Sequence, residues 1–389
     1  MKIAVINSGS SSIKFQLFSM PQGSVVAHVL VEKIGEASSQ ITLKYADKKN
    51  HMTDVVKNHN EGLEKIIALL REFDILKDFS TLDAIGHRVV HGGENFHDAT
   101  LIDESVLQVI KALNPLAPLH NPANLEGILV ARQKAPLVKQ IAVFDTAFHS
   151  MMPKEAYLYA LPYEMYEKHK IRRYGFHGTS HAFILKQTAI ALKKDKHELN
   201  IITLHLGNGA SACAIEKGIS VDTSMGFTPL EGLMMGTRSG DVDPAILIFM
   251  QRVLGLSVDE VDATLNKKSG LLGICGENDV RSIMDATDEK AKLALHMMIR
   301  RIKKYIGSYV ALLGRVDAIV FSGGIGENSA YIREKVLENF PYWVMMDKSA
   351  NEANALFISA PKSEVKVLVV KTDEELEIAQ ECLKFLRVN

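Results

Sequence analysis

The sequence predicts an α/β protein made of two related domains. Short apolar runs with the character of strands alternate along the chain with stretches of helical periodicity, which is typical of α/β architectures. An apolar run that enters a turn of Gly, Ser and Asn occurs at residues 3–12 and again at residues 201–211. The chain has 389 residues, and a domain usually has about 150. We therefore expect two domains related by duplication.

The individual elements follow from local signals. Six apolar runs predict strands, at residues 3–6, 85–90, 141–144, 201–206, 318–321 and 365–370. Capping signals predict helix starts at Asn121-Pro122, at Asp243-Pro244, at the capping box from Ser257 to Glu260, and from Thr372 to Glu375. Apolar residues at helical spacing predict one long helix over residues 288–314, which ends at a glycine.

Composition excludes several classes of protein. Lys and Arg total 45 against 46 for Asp and Glu, so the net charge of -1 gives no overall attraction to nucleic acid or to anionic lipid. The first apolar run is too short for a secretory signal, and the apolar stretch at 245–250 is far below the ~20 residues of a membrane span. We expect a cytoplasmic protein. Cys213, Cys275 and Cys382 lie far apart and predict core residues rather than disulfides or a metal motif.

The duplicated turns are candidates for phosphate binding. A turn of small residues between two strands can point successive backbone N–H groups at phosphate oxygens. In the first copy, Ser10 and Ser12 add hydroxyl donors, and Lys14 adds a cation on the same strand face as Ser12. One such turn alone is more often an ordinary Ser/Gly hairpin. Its duplication favours the phosphate interpretation.

A third glycine cluster lies at residues 322–328, between the strand predicted at 318–321 and a helix that we expect Ser329 to cap. Glycines at a strand-to-helix junction bring bare backbone and a helix N-terminus close to a bound group. The cluster is not a GxGxxG motif, and the sequence contains no GxxxxGK[ST] motif. Rossmann and P-loop folds are therefore disfavoured.

Charged side chains beside glycines suggest contacts with anions. Arg88 and Arg238 each stand between glycines, and a planar guanidinium suits both carboxylate and phosphate. A solvent-facing ion pair is the alternative for each. Asp145 follows the strand at 141–144, at the edge where ligand sites of α/β sheets open, although a turn or capping role fits equally well. For Glu374 the residues favour a helix cap over a cation ligand.

Two histidine pairs, His87 with His91 and His177 with His181, have the four-residue spacing of zinc-binding helices. Neither pair has a Glu beside its first His, and nearby glycines disfavour a helix at both. Zinc is therefore the lesser alternative. We expect His177 to donate a hydrogen bond to an anion.

Nine segments, in chain order, resemble the motifs of the acetate kinase family along essentially the whole chain. They are NSGSSSIKF, GHRVVHGGE, PLAPLHNP, FDTAFH, RRYGFHGTSH, HLGNGAS, DTSMGFTPLEGLMMGTRSGDVDP, GGIGEN and TDEELEIA. The resemblance implies duplicated ribonuclease-H-like (actin-like ATPase) domains, the first formed by residues 1–149 and 372–389 and the second by residues 150–371. It also implies that the active site lies in the cleft between them.

The resemblance assigns residues to roles. The catalytic set consists of Arg88, Asp145, His177 and Arg238. The substrate set consists of Arg88, Val90, Leu119, His120, Phe176 and Pro229, of which the apolar members surround the methyl group. The phosphate and nucleotide set consists of Ser10, Ser12, Lys14, His205, Leu206, Gly207, Asn208, Gly209, Asp279, Val280, Arg281, Gly324, Ile325, Gly326, Glu327 and Asn328. Asn7 and Glu374 lie near Mg²⁺.

The activity that the resemblance implies is reversible, Mg²⁺-dependent transfer of the γ-phosphoryl group of ATP to acetate, with ADP and acetyl phosphate as products. Mn²⁺ is an alternative ion, and a cytoplasmic homodimer is expected. A propionate kinase is the alternative within the family. A non-enzymatic actin-like nucleotide switch and a zinc hydrolase are the alternatives from other classes, and both rank far below the kinase.

Overall fold

The computed structural model describes residues 1–118, 120–340 and 343–388. It divides the chain into two compact units. The first unit consists of Met1–Ser150 together with Asp373–Asn389, and the second consists of Met151–Thr372.

The first unit is built on an eight-stranded sheet. Its strands are β1 (Lys2–Gly9), β2 (Ser12–Ser19), β3 (Ser24–Glu32), β4 (Ser39–Tyr45), β5 (Lys48–Asp54), β6 (Ala84–Val89), β7 (Thr100–Leu101) and β8 (Lys139–Phe144), in the order β5-β4-β3-β2-β1-β6-β8-β7. Its helices before residue 150 are α1 (His59–Glu72), α2 (Glu104–Ala112) and α3 (Asn121–Lys134), with 3₁₀ turns at Phe79–Thr81, Asn114–Leu116 and Ala147–His149. Strands β1, β6 and β8 run parallel, so their carboxyl ends share one edge.

The second unit is built on a five-stranded sheet. Its strands are β9 (Asn200–Leu206), β10 (Ala210–Glu216), β11 (Ile219–Thr223), β12 (Ala318–Ser322) and β13 (Lys366–Val369), in the order β11-β10-β9-β12-β13. Its helices are α4 (Lys154–Tyr157), α5 (Tyr163–His169), α6 (Gly178–Leu192), α7 (Pro244–Arg252), α8 (Val258–Lys267), α9 (Gly270–Cys275), α10 (Val280–Asp285), α11 (Glu289–Leu313), α12 (Gly323–Asn328), α13 (Ala330–Leu337) and α14 (Lys348–Glu352), with a 3₁₀ turn at Lys196–Glu198.

The same five-strand arrangement occurs in both units. The order β3-β2-β1-β6-β8 in the first unit corresponds to β11-β10-β9-β12-β13 in the second. In each sheet, the central strand (β1 or β9) pairs with an antiparallel strand on one side and with a parallel strand on the other, and one further strand extends the sheet on each side. This is the duplicated ribonuclease-H-like fold of actin-like ATPases, and it confirms the expected fold class.

The chain returns to the first unit as α15 (Glu374–Val388). Alternate residues of a strand point to opposite faces of the sheet. In the central strands of this unit, the residues on both faces are buried. One face packs through Ile6 and Phe15 against a core that includes Leu63 of α1. The other face packs through Val5 against a core that includes Ile378 of α15. Helix α15 is therefore an integral part of the first unit.

Most local predictions are confirmed. Each of the six predicted strands is present, with ends within three residues of those expected. The long helix α11 has Asp288 as N-cap and Gly314 as C-cap. Asp243 caps α7, and Ser257 makes the expected capping box.

Two predicted caps are wrong. His120 occupies the N-cap position of α3, and Asn121 is the first helical residue, whose side chain binds backbone elsewhere. At α15, the side chain of Asp373 accepts a hydrogen bond from the N–H of Leu376 at 2.9 Å, so Asp373 rather than Thr372 supplies the cap. In both helices, the residue at the N-cap position is the sequence neighbour of the residue that was predicted to be there.

Three further features complete the comparison with the sequence. The glycine cluster forms the short helix α12 itself, and Ser329 caps α13 as expected. Cys213 and Cys382 are buried, whereas Cys275 is partly exposed. In the described part of the chain, no helix combines the length and the apolar character needed to cross a membrane.

Candidate functional site

The first unit gathers polar side chains where its parallel strands end. Asn7 lies near the end of β1, Arg88 lies near the end of β6, and Asp145 directly follows β8. Val5 and Val143, two residues before Asn7 and Asp145, belong to the core that contains α15. Strand alternation therefore places these polar side chains on the face that meets α15.

Arg88 is held by two carboxylates. Its Nε and Nη2 donate to the two oxygens of Asp145 at 3.0 and 2.8 Å, and Nη1 lies 3.1 Å from Glu374 Oε2. The Asp145 side chain is 2% exposed and that of Arg88 18%. Burial alone lowers the pKa of Arg88, but Asp145 and then Glu374 outweigh burial and raise it above its usual range. The pair is therefore largely buried rather than solvent-facing, and both carboxylates contact the guanidinium of Arg88.

The β1–β2 hairpin contributes a second ion pair beside the first. Lys14 Nζ lies 2.8 Å from Glu375 Oε1, and Lys14 is the cross-strand neighbour of Asn7. Ser10 is exposed in the turn, and Ser12 is half-buried at the start of β2. The structure thus brings together most of the polar residues predicted for this unit.

The predicted substrate residues of the first unit lie in loops beyond β6 and before α3. Val90 is buried, and its N–H donates to Asn124 Oδ1 at 3.1 Å. The N–H of His91 donates to Asn121 Oδ1 at 3.0 Å. His120 is half-buried at the N-cap position of α3. No motif in the sequence predicts that Asn121 and Asn124 hold this loop.

Leu119, the remaining predicted substrate residue of this unit, lies outside the residues that the structure describes.

The second unit brings two histidines and an arginine to one glycine turn. The turn joins β9 to β10, and the N–H of Gly207 donates to the carbonyl of Gly209 at 3.1 Å. A Cβ at Gly209 would lie 3.6 Å from His177 Nε2 and 3.7 Å from Arg238 Nη1. The rings of His177 and His205 are 4.4 Å apart between centroids. The backbone of a candidate phosphate turn therefore adjoins both predicted phosphoryl-binding side chains.

Serine hydroxyls orient these histidines. His177 lies in the left-handed region, with φ of 56°, immediately before α6. Its Nδ1 is 3.0 Å from Ser211 Oγ, which also lies 2.8 Å from His181 Nε2. His205 Nδ1 is 2.7 Å from Ser180 Oγ. Strained backbone and fixed rings are typical of functional sites. Ser180 and Ser211 were not among the predicted site residues.

Arg238 has surroundings unlike those of Arg88. Its Nη1 donates to the carbonyl of Pro229 at 3.3 Å, and no carboxylate in the described ranges forms an ion pair with it. Burial lowers the pKa of Arg238, with no acidic neighbour to offset the effect. Pro229 is half-buried and Phe176 is buried. Arg238 therefore presents a desolvated positive charge that a bound anion would stabilise.

Arg173 holds the loop that contains Pro229. Its Nη1 donates to the carbonyls of residues 223–225 at 2.9, 3.2 and 3.1 Å. Its Nη2 donates to Glu231 at 2.7 Å, and Tyr159 donates to the other oxygen of that carboxylate. These contacts fix both ends of the loop whose carbonyl orients Arg238. Arg173 was not among the predicted site residues.

A cavity of about 750 Å³ opens beside the glycine turn. The predicted nucleotide residues that line it are Gly207, Asn208, Val280, Arg281, Gly324, Ile325 and Asn328. The lining residues that the sequence analysis missed are Met284, Asp285, Ser329, Ala330 and Tyr331. Predicted residues from β9–β10, α10 and α12 therefore meet in one cavity, which has the size of a small-molecule site.

Known proteins resemble this chain along nearly its whole length. The model of the acetokinase family matches residues 2–380. The chain belongs to the acetokinase family. It is 61% identical over 388 residues to acetate kinase of Sulfurimonas denitrificans, and the alignment covers 100% of both chains. The chain is therefore an enzyme of this family.

Two solved structures of the acetokinase family have the same fold. Acetate kinase of Porphyromonas gingivalis is 44% identical, with a TM-score of 0.93 over 99% of each chain. A propionate kinase from Francisella tularensis is 43% identical, with a TM-score of 0.93 over 98% of each chain.

Other predicted nucleotide residues of this acetokinase lie outside the lining of the cavity. Asp279 caps α10, and its carboxylate lies 2.6 Å from Arg281 Nη2. The hydrogen bonds from Arg281 lower the pKa of Asp279 to about 2. Leu206 is buried at the end of β9. Asp279 is thus placed to orient a lining residue rather than to line the cavity itself.

Gly326 and Glu327 belong to the support of the glycine helix. The Glu327 carboxylate accepts hydrogen bonds from the N–H groups of Gly323 and Thr372, both at 3.0 Å. The buried side chain of Arg333 donates through Nη1 to the carbonyls of Gly326 at 2.8 Å and Glu327 at 3.0 Å. This anchoring by Arg333 had no local signal in the sequence.

The histidine pairs do not assemble a zinc centre. His87 Nε2 is 2.7 Å from Gln140 Oε1, and burial lowers the pKa of His87 to about 4. His181 is bound to Thr203 and Ser211. Within residues 1–118, 120–340 and 343–388, no group of three His, Cys, Asp or Glu side chains is arranged to hold a metal ion.

Proposed function

We propose that the protein transfers the γ-phosphoryl group of ATP to acetate, reversibly, with ADP and acetyl phosphate as products. The observation that carries this proposal is the half-buried guanidinium of Arg238, which has no carboxylate partner and lies beside His177 and the glycine turn. This arrangement supplies positive charge and hydrogen-bond donors where an anion can bind. Phosphoryl transfer depends mainly on such positioning and charge stabilisation.

In the proposed reaction a carboxylate oxygen of acetate attacks the γ-phosphorus as the bond from phosphorus to the ADP oxygen breaks. A carboxylic acid is already ionised near pH 7, so the nucleophile needs no general base. We assign the acetate carboxylate to Arg88, whose guanidinium is oriented by Asp145 and Glu374. Asp145 therefore does not act as a base.

The moving phosphoryl group is assigned to Arg238 and His177. Both side chains adjoin Gly209, so they can stabilise the equatorial oxygens as charge shifts from one bridging oxygen to the other. The nucleotide is assigned to the cavity between the glycine turn, α10 and α12. We propose that the two compact units are the functional domains that carry these two sets of residues.

Mg²⁺, or Mn²⁺ in its place, is assigned to Asn7 and Glu374. The donors fit, because Mg²⁺ in nucleotide sites takes one or two carboxylates and completes its shell with phosphate and water. The two carboxylates of Glu374 and Asp145 both contact the single guanidinium of Arg88, so their negative charge exceeds its positive charge. When bound, the ion would neutralise charge on the nucleotide phosphates.

Propionate is the second candidate acceptor, because the Francisella tularensis structure with the same TM-score is a propionate kinase. Val90, Phe176 and Pro229 are assigned to the apolar end of the acid. One added methylene changes transition-state binding by about 1 to 3 kcal/mol, so we expect propionate to react more slowly rather than not at all.

The test is trapping of the acyl phosphate as a hydroxamate. The purified protein is given Mg²⁺, ATP and either acetate, propionate or butyrate, and kcat/KM is measured for each. We expect the order acetate, propionate, butyrate. A higher value for propionate would reassign the acceptor, and absence of hydroxamate with all three acids would refute the proposed function.

We also propose a homodimer, with α7 at the contact. None of the residues of this helix is buried, and Ile248 and Phe249 are 49% and 53% exposed. Exposed apolar clusters of this kind mark association surfaces. In sedimentation velocity, Phe249→Glu should yield monomers, while Ile190→Glu, on exposed α6 surface, should not. An unchanged dimer with Phe249→Glu would contradict this surface.

A further inference from the structure

A second cavity, of about 460 Å³, lies in the same unit as the nucleotide cavity and shares none of its lining residues. Its walls come from α11, from α9 and the segment that joins α8 to it, and from the loop on either side of Arg238. None of its lining residues belongs to α7. The proposed reaction does not use this cavity.

The cavity carries an excess of positive charge. Lys268, Arg300 and Lys304 line it, and within the described ranges none of these three side chains makes a hydrogen bond or an ion pair. The acidic lining residue, Asp241, accepts from Tyr305 at 2.8 Å and lies 3.4 Å from Arg301. Its charge is therefore already matched by Arg301.

A neighbouring carboxylate does not alter this balance. The hydrogen bonds to Ser257 are the largest cause of the lowered pKa of Glu260, and the attraction of Lys268 is a smaller one. Glu260 is fixed in the capping box of α8. Like charges around one cavity repel one another, and an anion with several charges would relieve that repulsion.

The wall of the cavity is connected to the loop that carries Arg238. The N–H of Ser269 donates to Thr237 at 3.0 Å, and the N–H of Leu271 donates to Met235 at 2.9 Å. A Cβ at Gly270 would lie 2.1 Å from the Met235 carbonyl oxygen. The two segments therefore pack backbone against backbone, so a shift in one must move the other.

We propose that this cavity is an effector site for a multivalent anion, either an oligophosphate or a polycarboxylate. Lys268, Arg300 and Lys304 would bind the charged groups, as cations bind phosphate and carboxylate in general. Occupation would draw α11 and the Ser269 segment together and so alter the position of Arg238. The proposal concerns a site separate from the one assigned to ATP and acetate.

The test compares two double variants on α11. Arg300→Gln/Lys304→Gln removes two cations from the cavity, and Lys290→Gln/Lys292→Gln removes two exposed cations from the first turn of the same helix. Tripolyphosphate and citrate are titrated calorimetrically into each protein after its nucleotide site has been saturated with MgADP. In parallel, kcat is measured at saturating ATP and acetate, with and without each anion.

We expect at least one of the anions to bind wild type and the control variant with one site per chain and to change their kcat at least twofold. The cavity variant should keep its basal kcat and bind at least tenfold more weakly. Binding of tripolyphosphate but not of citrate would identify the effector as an oligophosphate. Binding of citrate but not of tripolyphosphate would identify it as a polycarboxylate. Equal binding by both variants, or no binding by wild type, would overturn the site; binding with no change in kcat would overturn the effector role.

Discussion

Arg88 and Arg238 carry the same group in opposite surroundings. Arg88 donates to Asp145 and pairs with Glu374 in the first unit, and these carboxylates raise its pKa. Arg238 in the second unit has a carbonyl contact from Pro229, and burial lowers its pKa. A paired guanidinium is suited to hold a ligand in a fixed orientation. An unpaired, desolvated one is suited to stabilise charge that moves during a reaction.

The largest expected effect is that of Arg238→Ala on turnover. Loss of one charge-stabilising donor typically lowers kcat by about 10²- to 10³-fold, and we expect at least this loss with little change in acetate KM. Steady-state kinetics with Arg238→Lys as the matched variant measures the share due to charge alone. A large rise in acetate KM with an unchanged kcat would reverse the roles of the two arginines.

The region around Arg88 should respond to pH through its neighbour His87. Burial lowers the pKa of His87 to about 4, so between pH 6.5 and 4 the unfolded chain binds a proton that the folded chain does not. The free energy of unfolding should therefore fall by roughly 3 kcal/mol as the pH decreases through this window. Above pH 6.5 and below pH 4 this contribution is constant.

Denaturant unfolding of wild type and His87→Gln at several pH values measures the effect. The variant should lose less stability than wild type between pH 6.5 and 4. Parallel profiles for the two proteins would show that His87 does not titrate as a buried neutral group.

Asp145→Asn tests whether pairing holds Arg88 in place. The substitution leaves Arg88 with Glu374 alone and should lower the free energy of unfolding by roughly 1 to 3 kcal/mol. It should also raise acetate KM, because the guanidinium loses a fixed partner. Glu289→Gln, in the exposed pair with Lys292, serves as the control and should change neither quantity. Unchanged acetate KM in Asp145→Asn would separate Arg88 from acetate binding.

Arg173→Lys, which changes the support of Arg238 in the second unit, should have the smallest effect. Lysine lacks the fork that serves the carbonyls of residues 223–225 and Glu231 together. We expect kcat to fall about tenfold, with ATP KM unchanged, because the loop that orients Arg238 is loosened. Guanidinium ion should restore part of the activity of Arg173→Ala. Failure of this rescue, with a properly folded variant, would limit Arg173 to a purely structural role.

The fold was predictable where its cause is local. Apolar alternation revealed the central strands, and Asp243, Ser257 and Asp288 act as caps through contacts within a few residues. Strands β3 to β5 were missed because they lie toward the edge of the sheet and interrupt apolar residues with polar ones. Asn121 was misread because its amide binds His91, which is remote in sequence.

In the candidate site, too, the features that depend on consecutive residues were predictable and those that depend on remote contacts were not. The glycine turns could be found because the residues that form them are consecutive. The supporting contacts of Arg173 and Arg333 could not, because their acceptors lie on other loops and helices. Sequence motifs therefore predicted the groups that we assign to ligand binding, whereas the groups that hold them in place could be found only in the structure.

Helix α15 has a consequence for synthesis of the protein. It contributes Ile378 and Cys382 to a core of the first unit and Glu374 to the carboxylates around Arg88. A ribosome translates this helix only after every residue of the second unit. The part of the protein that is made first is therefore completed after the part that is made second. A nascent chain interrupted before α15 lacks both a finished core and the carboxylate of Glu374 beside Arg88.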